Sequence, residues 1–143
     1  MAYHLSVFLV DNNPGKLEKI TRTLAENKIN LRAMSLASTG DFGVIKLLVD
    51  NPEKAFDSLK KQNLTVSKRK ITAVEVENAP GALHNIISKL SQNSINIEDC
   101  YGFLLNDGKT AAIVLEVETS PQAEENIKNI GLNVLDENKL YNY

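Results

Sequence analysis

The chain of 143 residues is 43% hydrophobic and 24% charged, with a formal net charge of -2. That composition excludes a wholly disordered chain, and its longest apolar stretches, such as Val44 to Val49 with Lys46 inside it, fall far below the roughly 20 residues of a membrane helix. With one cysteine, Cys100, and two histidines, His4 and His84, it can form no intrachain disulfide, no CxxC pair and no HExxH-type metal site.

The elements follow in chain order. Leu5 to Val10 reads as a strand; it lacks the positive region and small-residue cleavage site of a signal peptide. Pro14 precedes a helical face of Leu17, Ile20 and Leu24, and Asn27 stands where that helix ends, a place that tolerates left-handed backbone. Leu31 to Ser38 and Val44 to Asp50 read as strands joined by a turn carrying Gly40, Asp41 and Gly43. Pro52 opens a second helix, with Ala55, Phe56 and Leu59 on its apolar face, and Leu64 to Lys68 closes the unit as a strand. Residues 67–70, with the basic run Lys68-Arg69-Lys70, read as a short solvated connection.

The same order then returns. Asn12 to Ser35 and Asn78 to Tyr101, 66 residues apart, share nine identical positions, among them Asn12/Asn78, Pro14/Pro80, Gly15/Gly81, Leu17/Leu83 and Asn30/Asn96. The second copy reads as a strand Ile71 to Val76, a helix with Leu83, Ile86, Ile87 and Leu90, and strands Ile97 to Leu105 and Thr110 to Glu118. Asn93 takes the place of Asn27. After Pro121 come a helix with Ala123, Ile127 and Ile130 and a strand Leu132 to Leu135. Ile45, Leu47 and Val49 match Ile113, Leu115 and Val117 as core positions, with Lys46 and Glu116 expected on a water-facing side. Leu17 and Leu83 are expected in the core, Cys100 buried or half-buried on its strand as a small hydrophobe, and His84 on the surface. The order βαββαβ, twice, predicts an α+β fold of two tandem ferredoxin-like sandwiches, antiparallel sheets with helices on one face, as domains 1–69 and 70–143.

A strand, then Asn-x-Pro-Gly-x-Leu, then an amphipathic helix and a stretch like "xxIN[I/L]" resembles an ACT domain, and two in tandem resemble the small stand-alone tandem ACT proteins. The resemblance spans essentially the whole chain and implies a non-catalytic regulatory module that binds a free amino acid, typically at an interface between paired domains. The polar residue before the Pro, the Gly after it and the Asn entering the second strand fall on Asn12, Gly15 and Asn30, and on Asn78, Gly81 and Asn96. Asn13, Pro14 and Leu31, with Ala79, Pro80 and Ile97, complete the expected ligand-binding set. The histidine that some members carry two positions before the first Asn is replaced by Val10 and Val76. The resemblance also implies a homodimer and a partner enzyme of amino-acid metabolism. No cofactor, metal or catalytic residue is expected, nor a nucleic-acid or membrane partner; the lone cysteine fits a cytoplasmic setting.

Physical chemistry suits such a ligand to these residues. A helix N-terminus offers unpaired N–H groups and partial positive charge to a carboxylate. A glycine lets a ligand approach the backbone, and an Asn side chain both accepts from an ammonium and donates to a carboxylate. The competing reading is local structure: Asn is a common N-cap and turn residue, and 16 of the 143 residues are Asn. Other functions fit less well. No acidic pair recurs for catalysis, the third strands hold no aromatic for RNA stacking, and neither first loop has the CxxC of a metallochaperone. The alternative kept is an interaction module that pairs with an enzyme or with itself and binds no ligand.

Overall fold

The computed structural model describes residues 2–117 and 121–142. The chain divides into two compact units, one spanning Tyr3–Arg69, the other Lys70–Tyr143 together with Met1–Ala2. In chain order the elements are β1 (Ala2–Leu9), α1 (Lys16–Glu26), β2 (Leu31–Thr39), β3 (Phe42–Val49), α2 (Pro52–Lys60), β4 (Thr65–Glu77), α3 (Ala82–Gln92), β5 (Ile97–Leu105), β6 (Thr110–Val117), α4 (Ala123–Asn129) and α5 (Glu137–Asn142). The fold is the tandem ferredoxin-like arrangement expected. Among the described residues no helix is long and apolar enough to cross a membrane.

In the first unit the strands lie in the order β2-β3-β1-β4. β1 and β3 pair antiparallel, with Leu5 opposite Leu47, Val7 opposite Ile45 and Leu9 opposite Gly43. Directly opposed residues share a sheet face, so this register brings the apolar positions onto one side. There they join Ile20 and Leu24 of α1 and Ala55 and Leu59 of α2 in a single core. The second unit repeats this with β4-β6-β5. Its core holds Val74, Ile113 and Leu115 beneath Ile86 and Leu90 of α3 and Ile127 of α4. Both second strands carry an irregularity at the same repeat position, between Leu31 and Ala33 and between Ile97 and Asp99.

Several expectations are corrected. Residues 67–70 are exposed but do not break the chain: β4 runs unbroken from Thr65 to Glu77. No glycine or proline interrupts that stretch, so nothing forces a turn. Leu132 to Leu135 is not a strand. It makes one bridge, Val74 with Val134, supported by Glu75 N donating to Asn133 O and Leu135 N to Ala73 O, both at 2.8 Å. Of the four prolines only Pro52 stands in the first turn of a helix, where Asn51 caps by accepting from Lys54 N at 3.1 Å. Asn27 and Asn93 are not left-handed; Lys28 (φ 56) and Ser94 (φ 55), one residue later, are. The two asparagines instead turn their amides back onto Thr23 O and Lys89 O, each at 2.8 Å. Glu118, the last residue of a predicted strand, lies outside the described residues.

The face opposite the helices also differs from expectation in the second unit. Glu116 is only 4% exposed. Helix α5, which has no counterpart in the first copy and left no repeat signal, contributes the buried Leu140 and Tyr141. Tyr101 lies near Tyr141, Asp99 and Glu116, and burial with these charges pushes its phenol well above the ordinary value of 10.0. Cys100 points to the other face, opposite Leu115, and is exposed rather than buried or half-buried. Partial desolvation and the Asp99 carboxylate raise its thiol.

Candidate ligand-binding loops

The two Pro-Gly segments are turns before they are helix starts. Lys16 N donates to Asn13 O at 3.3 Å, and Ala82 N to Ala79 O at 3.2 Å. Between them Gly15 has φ 99, ψ -20 and Gly81 has φ 86, ψ -12. Proline followed by a residue of positive φ defines a type II turn, which wants glycine at its third position. A Cβ on either glycine would meet nothing within 4 Å. These glycines are therefore required by backbone conformation and not by crowding, and the space before each helix is open.

Gly15 and Gly81 are the N-caps of α1 and α3, and neither helix has a side-chain cap. Lys19 N reaches Gly15 O at 2.9 Å and Asn85 N reaches Gly81 O at 3.0 Å. The amides of Leu17 and Glu18, and of Leu83 and His84, precede any intrahelical carbonyl and point out of the helix end. Glu18 puts a carboxylate in the first turn of α1, where it pairs with Arg22 at 3.2 Å. The first turn of α3 has no acidic residue; His84 stands there, exposed as expected. Leu17 packs on its core. Leu83 is 47% exposed, contrary to expectation, and lies beside the open loop.

Asn12 and Asn78 tie these loops to the neighbouring hairpins and cap no helix. Asn12 N donates to Asp41 O at 2.8 Å and its side-chain amide to Ser38 Oγ at 2.8 Å. Ser38 Oγ donates onward to Phe42 O at 3.3 Å. Asn78 N donates to Lys109 O at 3.1 Å and its amide to Gly108 O at 2.8 Å. In both, the NH₂ is engaged, and no described residue donates to the carbonyl oxygen. Asn13, Pro14, Ala79 and Pro80 are exposed at the turn corners.

Asn30 and Asn96 are not brought to these loops within their own units. Asn30 lies past the far end of α1, whose 11 residues span about 16 Å. Its backbone N donates to Asp50 Oδ1 at 3.0 Å and its carbonyl accepts from Asp50 N at 3.1 Å. Asn96, at the same end of the second unit, lines a depression of about 410 Å³ with Ile87, Ser91 and Ile97. It also lines a smaller one of about 180 Å³ with Asn93 and Asn126. Leu31 and Ile97 pack against the two cores.

Sequence reasoning missed the hairpin side of each loop. Gly43 is one such residue: it lies directly beside Asn12, and a Cβ there would stand in contact with the asparagine, 3.4 Å from its Cβ and Cγ. The other is the 3-10 turn Asn106–Gly108, where Asn106, Asp107 and Gly108 are left-handed in succession. The Asn-Asp-Gly triplet signalled that turn, but nothing local said that Asn78 would reach it.

Comparison with known proteins fits this tandem βαββαβ chain and its paired Pro-Gly loops. The family of ACT domain pairs matches residues 1–143. This chain belongs to that family. Its fold is similar to the crystal structure of protein BT0572 from Bacteroides thetaiotaomicron, with 32% identity, a TM-score of 0.89, and 99% of this chain and 96% of that one covered. The pair is also similar to the ligand-free regulatory subunit of aspartate kinase from Thermus thermophilus, at 14% identity and a TM-score of 0.66 over 90% and 92% of the two chains. The corresponding subunit from Thermus flavus gives 13% identity and a TM-score of 0.62 over 90% and 89%. These last two likenesses concern the fold. No curated protein matches the chain.

Proposed function

We propose that this ACT domain pair is a non-catalytic regulatory protein that binds a free amino acid at residues 12–15 and 78–81, one loop in each of the domains 1–69 and 70–143. The observation that carries the reading is the repeated type II turn, which leaves two helix N-termini uncapped behind open space. The ligand carboxylate takes the free first-turn amides. The carbonyl of Asn12 or Asn78, whose NH₂ is held by the hairpin, accepts from the ammonium. Asn30 and Asn96 take no part in the site of their own unit. The likeness to aspartate kinase regulatory subunits supports a role beside an enzyme of amino-acid metabolism. A homodimer in a reducing cytoplasm is the setting proposed.

The reading as an interaction module without ligand is favoured by a different observation, the exposed Met34, Leu36 and Leu104 on the outer strands. A thermal-shift screen against the twenty amino acids separates the two. A ligand at a hundred times its dissociation constant adds about 2.7 kcal/mol of stability. The ligand-binding reading predicts a shift for one amino acid or a few, and its loss in the double variant Asn12→Ala/Asn78→Ala. No shift with any amino acid favours the interaction module.

A further inference from the structure

Each loop offers two free first-turn amides, and each amide belongs to a residue whose own side chain stands beside it. In the second unit these are the amides of Leu83 and His84, because Ala82 N already donates to Ala79 O at 3.2 Å. Gly81 is the N-cap, so His84 is the third residue of α3. Side chains in a helix tilt toward its N-terminus, and a polar side chain at this third position can reach back to the N-cap. That places the imidazole beside the open turn, where a Cβ on Gly81 would meet nothing within 4 Å.

His84 is exposed, and no described residue hydrogen-bonds to it or pairs with it. The first turn of α3 holds no acidic residue. The charged groups around this end of the unit are Glu77 at the close of β4, Asp107 and Lys109 in the hairpin turn that holds Asn78, and Lys89 further along α3. Helix α4 adds Glu125 and the ion pair of Lys128 with Glu124 at 2.8 Å. None of these is an imidazole, and the other histidine, His4, is fully buried. In the first unit the third residue of α1 is Glu18, which pairs with Arg22 at 3.2 Å, and Lys16 opens that helix. The first loop therefore has no imidazole.

Resting on the ligand reading above, we infer that His84 is a ligand-binding residue of the second loop. Its protonated imidazole donates to the carboxylate held on the amides of Leu83 and His84, and proton uptake tightens binding at this loop alone. Histidine is the side chain that ordinarily changes charge between about pH 5 and about pH 8, a range in which a free amino acid keeps both its carboxylate and its ammonium. A unit charge about 4 Å from a carboxylate in water is worth about fivefold in affinity.

The test is an amide NMR titration of the parent and of His84→Gln with each of the twenty amino acids except histidine, at about pH 7.5 and about pH 5.5. Gly81 and Leu83 report the second loop, Gly15 and Leu17 the first. The expected result is saturable shifts at both loops, a second-loop affinity about fivefold higher at the lower pH, and a first-loop affinity that does not change. His84→Gln keeps an N–H donor but no charge, so it should bind at both pH values without the rise. A second-loop affinity equal at the two pH values, a rise that survives in His84→Gln, or the same rise at both loops of the parent would each overturn the inference and leave the ligand reading standing. No saturable shift at either loop with any amino acid would overturn both. His84 is exposed, so the substitution touches no core.

Discussion

Asn12 and Asn78 occupy the same place in two loops with the same turn, yet different partners hold them. Asn12 reaches a side-chain hydroxyl, Ser38, which relays to Phe42 O; Asn78 reaches a backbone carbonyl at Gly108, in a turn of three left-handed residues. The helices behind the loops diverge too. Leu17 packs inward and is followed by Glu18, whereas Leu83 stands exposed and is followed by His84. The contrast separates what each copy must keep from what it can vary. Proline and glycine set the turn by their own backbone preferences. The anchor depends on whichever hairpin the loop meets.

Substitutions that spare or strike this shared frame sharpen the contrast. The largest effects fall where the copies agree: Ile20 is 0% exposed and Ile86 3%, so truncation of either to Ala should cost about 2–5 kcal/mol in denaturant unfolding. Gly15→Ala and Gly81→Ala should each cost about 1–2 kcal/mol, because an L-residue must enter the left-handed region while its methyl group meets no neighbour within 4 Å. A markedly unequal pair of glycine values would break the claim that the frame is common.

Alkaline pH should then expose a difference between the copies. Tyr101, whose repeat counterpart is Ser35, keeps its proton in the folded state above pH 10.0, where an unfolded tyrosine ionises. Its contribution is therefore full below about pH 10 and is lost as pH rises beyond it, at up to about 1.4 kcal/mol per pH unit. Tyr101→Phe should flatten that slope. Ser38→Ala should cost about 0.5–1.5 kcal/mol and disturb the first loop alone, leaving the second as it was; amide exchange at both loops reads this. The smallest effect is expected for Leu83→Ala, within about 0.5 kcal/mol, against about 1 kcal/mol for the half-buried Leu17→Ala.

The repeat made most of the fold legible. Apolar spacing located α1 to α4 and the core strands, because helix and strand periods leave different marks. What it could not reveal has particular causes. Helix α5 lies outside the repeat, and with it went the burial of Tyr141 and the crowded setting of Tyr101 and Glu116. The fourth strand of the second unit shrank to one bridge at Val134, which no local preference marks. At the loops, Pro-Gly reads as a helix start but is first a type II turn, and Asn12 resembles a cap although its partner is 26 residues away at Ser38. The motif groups Asn30 with the loop, although an 11-residue helix lies between them.

The central claim is that these two loops receive an amino acid. Backbone amide shifts recorded by NMR during titration with the amino acid that stabilises the protein test it most directly. Saturable shifts are predicted, centred on the amides of Gly15, Leu17 and Glu18 and of Gly81, Leu83 and His84. Saturable shifts confined to the far ends of α1 and α3, around Asn30 or around Asn96 and Asn126, would contradict it.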